Sequence, residues 1–164
     1  MGEEELYTIY MNMEYKNLIF DNYSELFLEK SWDWLNDDEI KKLTLTPDFT
    51  KKEQKVFFDS LPHRKDYYIK GITYNEKPIG ACGLKKITST SAEYWGYIGE
   101  KEYWGKKLGG EIIDFLMDVA KKMGLENIYL HVSEQNERAI RLYKKKGFAI
   151  DAIENQILKM KYYL

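Results

Sequence analysis

The hydrophobic patterning predicts an α/β domain built on one mixed sheet of six or seven strands with helices on both faces. β-Branched and aromatic runs crowd the middle of the chain, from Tyr67 to Gly99. A helical period is clearest where Leu108, Ile112, Phe115, Leu116, Val119, Ala120 and Met123 recur. Strand and helix then alternate to the end, which places helices against a sheet rather than beside other helices. The 164 residues suit a single core.

Residues 1–15 form an N-terminal extension in which Leu6 to Tyr10 fits either an extra strand or a loose arm; the domain proper spans 16–164. Lys16 to Tyr23, with Leu18-Ile19-Phe20, reads as the first strand. Ser24 is placed to cap a helix whose apolar positions are Leu26, Phe27, Leu28, Trp32, Trp34 and Leu35. Asn36-Asp37-Asp38 breaks it, and a short helix follows to Leu43. Thr50-Lys51-Lys52-Glu53 is a capping box opening a helix that Leu61-Pro62 closes. Trp32, Trp34 and Phe57 are expected to form the core of this helical lid.

Two strands, Tyr67 to Tyr74 and Ile79 to Ile87, flank the hairpin signal Asn75-Glu76-Lys77-Pro78. Each of the prolines Pro47, Pro62 and Pro78 marks an expected boundary. After a turn at Thr88 to Ser91, a third strand runs from Ala92 to Gly99 and puts Glu93, Trp95 and Tyr97 on one face. The long helix ends at Gly124. A strand at Glu126 to Val132 sets Ile128, Leu130 and Val132 against Tyr129 and His131. Asn136 to Lys146 is a helix ended by Gly147, and Phe148 to Leu164 supplies two closing strands.

Composition narrows the function classes. Lys plus Arg is 25 and Asp plus Glu is 27, a net charge of −2, unlike a dedicated nucleic-acid-binding domain. No apolar run approaches the ~20 residues of a membrane span. One cysteine and two histidines leave no disulfide framework and little for a metal, so none is expected. Cys82 reads as a small buried strand residue and His63 as loop. The acidic N-terminus does not resemble a secretory signal, which points to the cytoplasm. Acidic side chains are concentrated in residues 1–40, where they either keep the surface soluble or wall a site for a cationic substrate.

Two segments carry the chemistry. Tyr103-Trp104-Gly105-Lys106-Lys107-Leu108-Gly109-Gly110 joins a strand to the start of the long helix. Glycines there admit close backbone approach and unpaired N–H groups make an anion cradle suited to a pyrophosphate, to which Lys106 and Lys107 add charge. Neither the phosphate-loop nor the dinucleotide fingerprint is present. The second segment runs from Asn136 to Phe148.

Together they resemble the GNAT superfamily of acyl-CoA-dependent N-acetyltransferases, over roughly residues 16–150. The family pattern Asn-x-x-Ala-x-x-x-Tyr-x-x-x-Gly-Phe is met by Asn136, Ala139, Tyr143, Gly147 and Phe148. Its loop pattern Arg/Gln-x-x-Gly-x-Gly/Ala is met at Gly109 but carries Trp104 for Arg or Gln and Lys107 for Gly. The start, with Trp34-Leu35-Asn36-Asp37, is similar to the ribosomal-protein, spermidine and sugar-nucleotide acetyltransferases. The resemblance implies acetyl-CoA as co-substrate, held by Trp104 through Gly110, Asn136, Ala139 and the splayed strand end Tyr97-Ile98-Gly99. It implies Tyr143 as the general acid that protonates the leaving thiolate. For the base it leaves two choices, His131 within Leu130-His131-Val132 and Glu93. Arg141, Lys144 and Lys145 fit either a 3′-phosphate contact or a solvated face. The implied function is acetyl transfer to a primary amine, a small cationic amine or amino sugar ahead of a protein N-terminus. A non-catalytic acyl-CoA sensor is the rival. No nucleic acid or membrane partner is expected, and a homodimer stays open.

Overall fold

The computed structural model describes residues 2–4 and 17–164; the strand-or-arm expected at Leu6 to Tyr10 lies outside them. The elements are β1 (Leu18–Asn22), α1 (Glu25–Asn36), α2 (Asp38–Leu43), α3 (Lys51–Ser60), β2 (Tyr68–Tyr74), β3 (Lys77–Lys85), β4 (Ser91–Ile98), α4 (Leu108–Lys122), β5 (Asn127–Ser133), α5 (Glu137–Lys145), β6 (Ala149–Glu154) and β7 (Ile157–Tyr163). The strands form one seven-stranded sheet in the order β1-β2-β3-β4-β5-β7-β6. Every neighbouring pair is antiparallel except β4 and β5, which run parallel.

Helices α4 and α5 cover one face. Leu108, Ile112, Ile113, Leu116 and Ala120 of α4 pack with Ile128, Leu130 and Val132 of β5 in the main core. A smaller cluster of Phe27, Trp34 and Ile40 holds α1 and α2 to the opposite face, with Tyr97 of β4 packed against it. Asn17 ties the start of β1 to α4, its backbone N–H and side-chain amide each donating to the Glu111 carboxylate, at 3.0 and 2.9 Å.

Several local expectations change in detail. Ser24 stands at the N-cap of α1, but its side chain makes no capping bond. Thr50 does cap α3, and Glu53 returns the bond as a full capping box. Pro78 is the second residue of β3 rather than part of the turn, opposite Thr73 where the β2–β3 register shifts. A bulge there accepts a residue without an N–H. The turn before it is made by Asn75 and Glu76, both left-handed at φ 46° and 66°, the geometry of a two-residue hairpin turn. Of the expected lid core only Trp34 is buried. Trp32 and Phe57 are half-buried, and α3 has no buried residue, because the face it covers is a cleft rather than a packed core.

Candidate active site

The site begins with a break in strand pairing. β4 and β5 pair only at Ser91–Asn127, Ala92–Ile128 and Glu93–Tyr129. Beyond Glu93 the two strands separate, and the gap opens into a cleft of about 940 Å³ lined by β4, β5, α4, α5 and the helical lid.

At one end stands the loop into α4. Gly105 is left-handed at φ 77°, and Lys107 is the N-cap of α4 in the same region at φ 63°. The first N–H groups of a helix have no intrahelical acceptor. Among the described residues nothing outside the helix takes those from Gly105 to Gly110. Lys106 and Lys107 are exposed beside them. A Cβ on Gly109 would come within 2.9 Å of the Leu142 side chain, so glycine here lets α5 close on the loop. The cradle fits a pyrophosphate: bare donors, a helix N-terminus and cations. Arg138 of α5, which motif reasoning passed over, also faces it; its guanidinium lies 3.8 Å from where a Gly105 Cβ would stand.

Asn136 is the N-cap of α5 and its Oδ1 accepts from the Ala139 N–H at 3.4 Å, so its structural role is present alongside any contact to a ligand. Trp104, where the family carries Arg or Gln, donates its indole N–H to the Ile98 carbonyl at 2.8 Å. That bond ties the loop to the splayed strand.

The three predicted strand-end residues divide. The Gly99 N–H donates to Ile79 of β3 at 2.6 Å. By strand alternation the backbone groups of Tyr97 also point to β3, while those of Gly96 and Ile98 point into the gap. Gly96, missed from sequence, thus joins Ile98 as a backbone donor there. Tyr97 contributes its ring to the cleft, and its hydroxyl donates to Ser31 Oγ at 3.0 Å.

Tyr143 lines the cleft from the α5 side, edge-on to Tyr94 with ring centroids 5.9 Å apart. Burial pushes its phenol up to about 12, so it holds its proton through the physiological range. Glu93 and His131 reach the cleft from the opposite face of the sheet. His131 Nδ1 stands 3.3 Å from Glu93 Oε1, so the two rival bases are neighbours. Glu93 is 6% exposed, and its carboxylate also faces Lys85 Nζ at 3.2 Å and Lys86 Nζ at 3.7 Å. Its Oε1 is nevertheless without a hydrogen-bond partner. Cys82 is fully buried and its thiol is pushed up by burial, away from nucleophilic use.

The acidic side chains of α1 and α2 do not line this cleft. Asp33 and Asp37, with Glu100, border a separate groove. There Lys101 bridges Asp37 at 2.9 Å and Glu39 at 3.0 Å.

The model of the acetyltransferase (GNAT) family matches residues 24–148. The chain belongs to this family. Among curated relatives, an uncharacterized N-acetyltransferase, YobR of Bacillus subtilis, is 28% identical over 98 residues, 60% of this chain and 38% of that protein. The GCN5-related N-acetyltransferase 6 of Arabidopsis thaliana is 26% identical over 51% of this chain and 31% of its own length. The chain thus spans well under half of the curated relatives it matches. Solved structures share the fold over nearly the whole chain. The spermidine N-acetyltransferase of Vibrio cholerae, in complex with CoA and spermine, superposes with a TM-score of 0.82 at 20% identity, covering 90% of this chain and 95% of its own. Campylobacter jejuni N-acetyltransferase PseH, in complex with acetyl coenzyme A, gives 0.70 at 16% identity over 89% and 98%. No helix among the described residues is long and apolar enough to cross a membrane.

Proposed function

We propose that this GNAT domain is an acetyl-CoA-dependent N-acetyltransferase acting on the primary amine of a small molecule. The observation that carries the reading is the gap between β4 and β5, flanked on one face by Tyr143 and on the other by the Glu93–His131 pair. The small-molecule side of the reading takes support from the spermidine acetyltransferase likeness.

Acetyl-CoA, when bound, supplies a thioester whose carbonyl carbon bonds to the amine nitrogen while its carbon–sulfur bond breaks, giving an N-acetyl amine and free coenzyme A. The chain's residues divide the remaining work. The N–H groups at the start of α4, with Lys106, Lys107 and Arg138, hold the pyrophosphate. Asn136 and Ala139 border the same channel. Gly96 and Ile98 present backbone N–H groups to the carbonyl oxygen, where negative charge gathers. An alkylamine has a pKa near ~10.4 and must lose a proton before or during attack. His131, steadied by the Glu93 carboxylate, takes that proton. Tyr143, kept neutral by burial, gives its proton to the sulfur. The proton that leaves nitrogen is thus matched by one delivered to the thiolate.

The test couples binding to turnover. Acetyl-CoA at a hundred times its dissociation constant adds about 2.7 kcal/mol to the folded state. For a domain of this size the melting temperature then rises by roughly 5–11 °C. Thiol release from acetyl-CoA should follow when an accepted amine is added. A protein whose melting is untouched by acetyl-CoA would not fit the assignment.

A further inference from the structure

The acceptor end of the cleft is walled by rings drawn from three parts of the chain. Tyr67 and Trp95 lie 6.2 Å apart, Trp95 and Tyr97 6.3 Å apart and nearly parallel at 25°, and Phe57 of α3 stands edge-on to Tyr67 at 5.1 Å. All four line the cleft and are half-buried, so each keeps surface open to it. Gly83 makes room for the indole: a Cβ there would come 2.9 Å from the Trp95 ring. Such rings favour edge and offset contact with another ring.

At the end of this wall sits one buried carboxylate. Glu93 Oε1 has no hydrogen-bond partner, and His131 Nδ1 is 3.3 Å away. Lys85 Nζ at 3.2 Å and Lys86 Nζ at 3.7 Å also face this carboxylate, and a primary amine arriving there supplies the hydrogen bond that Oε1 lacks. Glu93 and Trp95 are two residues apart on one strand, about 6.8 Å. A ring tethered to its amine by two or three carbons spans that distance.

The rest of the lining disfavours the other acceptor classes. Among the described residues Glu93 is the sole acid lining the cleft, and the Lys85 ammonium stands beside it. The second ammonium of a polyamine would find no carboxylate. Sugar hydroxyls meet few free groups at this end, the buried Trp95 indole N–H being one. Tyr23 and Tyr97 both donate to Ser31, and Thr44 is bonded to Thr46 and to the Ile40 carbonyl. Burying hydroxyls without partners is costly.

We infer that the acceptor is a primary amine on an aromatic body with no second positive charge, its nitrogen at Glu93 and His131 and its ring against Trp95, Tyr67 and Phe57. The inference rests on the acetyl-transfer reading above.

The test measures thiol release from acetyl-CoA with 2-phenylethylamine, spermidine and glucosamine as acceptors, in the wild type and in Phe57→Ala. Because α3 buries no residue, that variant should fold. The expected kcat/KM for 2-phenylethylamine exceeds both others at least about tenfold. Phe57→Ala should raise its KM about five- to tenfold, the worth of one ring contact, and leave the KM for acetyl-CoA unchanged. Spermidine or glucosamine equalling the aromatic amine overturns the inference and leaves acetyl transfer standing. So does Phe57→Ala without effect on the aromatic amine. If acetyl-CoA raises the melting temperature but no amine releases thiol, the acetyl-transfer reading falls and this inference with it.

Discussion

The two ends of the cleft are built by opposite strategies. The end proposed for the cofactor uses backbone: the loop from Trp104 to Gly110 and the first turn of α4 leave N–H groups bare, and charge comes from a few exposed cations. The end proposed for the acceptor uses side chains: Phe57, Tyr67, Trp95 and Tyr97 supply rings and Glu93 a buried carboxylate. A backbone site asks only for a local conformation, so it tolerates Trp104 and Lys107 where the family carries other residues. A side-chain site changes its ligand with each residue.

The sharpest way to break the comparison is at the junction of the two ends. Tyr143→Phe removes one hydroxyl and keeps the ring contacts with Tyr94 and Phe148. Turnover should fall by about 10²–10⁴-fold while acetyl-CoA still raises the melting temperature. Near-normal kcat would make Tyr143 a packing residue. Its pH behaviour follows from burial, which disfavours the phenolate and lifts the group to about 12. The wild-type kcat profile should therefore show no basic limb from this group below about pH 11. The same sign makes its contribution to stability complete below the ordinary phenol value near ~10 and lost as pH climbs through the folded value.

A second set separates base from positioning residue. His131→Gln should cost roughly 10²-fold at neutral pH, with partial recovery at high pH where the amine deprotonates itself. Glu93→Gln, which leaves His131 without its carboxylate neighbour, should reduce kcat less and leave the acidic limb of the pH profile in place. If Glu93→Gln abolishes that limb and His131→Gln keeps it, Glu93 is the base.

Smaller effects belong to each end separately. Lys106→Glu reverses an exposed charge beside the cradle and should raise the KM for acetyl-CoA roughly three- to tenfold, more at low salt than at high salt, with kcat little changed. An unchanged KM in both Lys106→Glu and Lys107→Glu would misplace the pyrophosphate. The smallest effect is expected from Thr50→Ala, which removes the capping box of α3. A cap is worth about 1 kcal/mol, so melting should drop by roughly 2–4 °C. Any kinetic effect should appear in the acceptor KM and not in that for acetyl-CoA, since α3 touches only the acceptor end.

The sequence by itself determined the elements and the loop and helix start proposed to hold the cofactor, because both are written in contiguous residues. The 3.6-residue period of α4, the capping box at Thr50 and the run from Asn136 to Phe148 are local patterns, and each specifies its conformation without help from distant parts of the chain. Tertiary structure decided the rest. Pairing of β4 with β5 stops at Glu93, and that register brings His131 beside Glu93 although both were legible only as separate candidates. The antiparallel β3–β4 ladder turns Gly99 toward Ile79 and leaves Gly96 and Ile98 facing the gap, an alternation no motif records. Packing of Phe27, Trp34 and Ile40 onto the sheet aims the acidic residues Asp33 and Asp37 at a separate groove, so the charge of these two residues says little about the acceptor. A side-chain chamber is assembled by strand register and helix docking, and those depend on the whole chain at once.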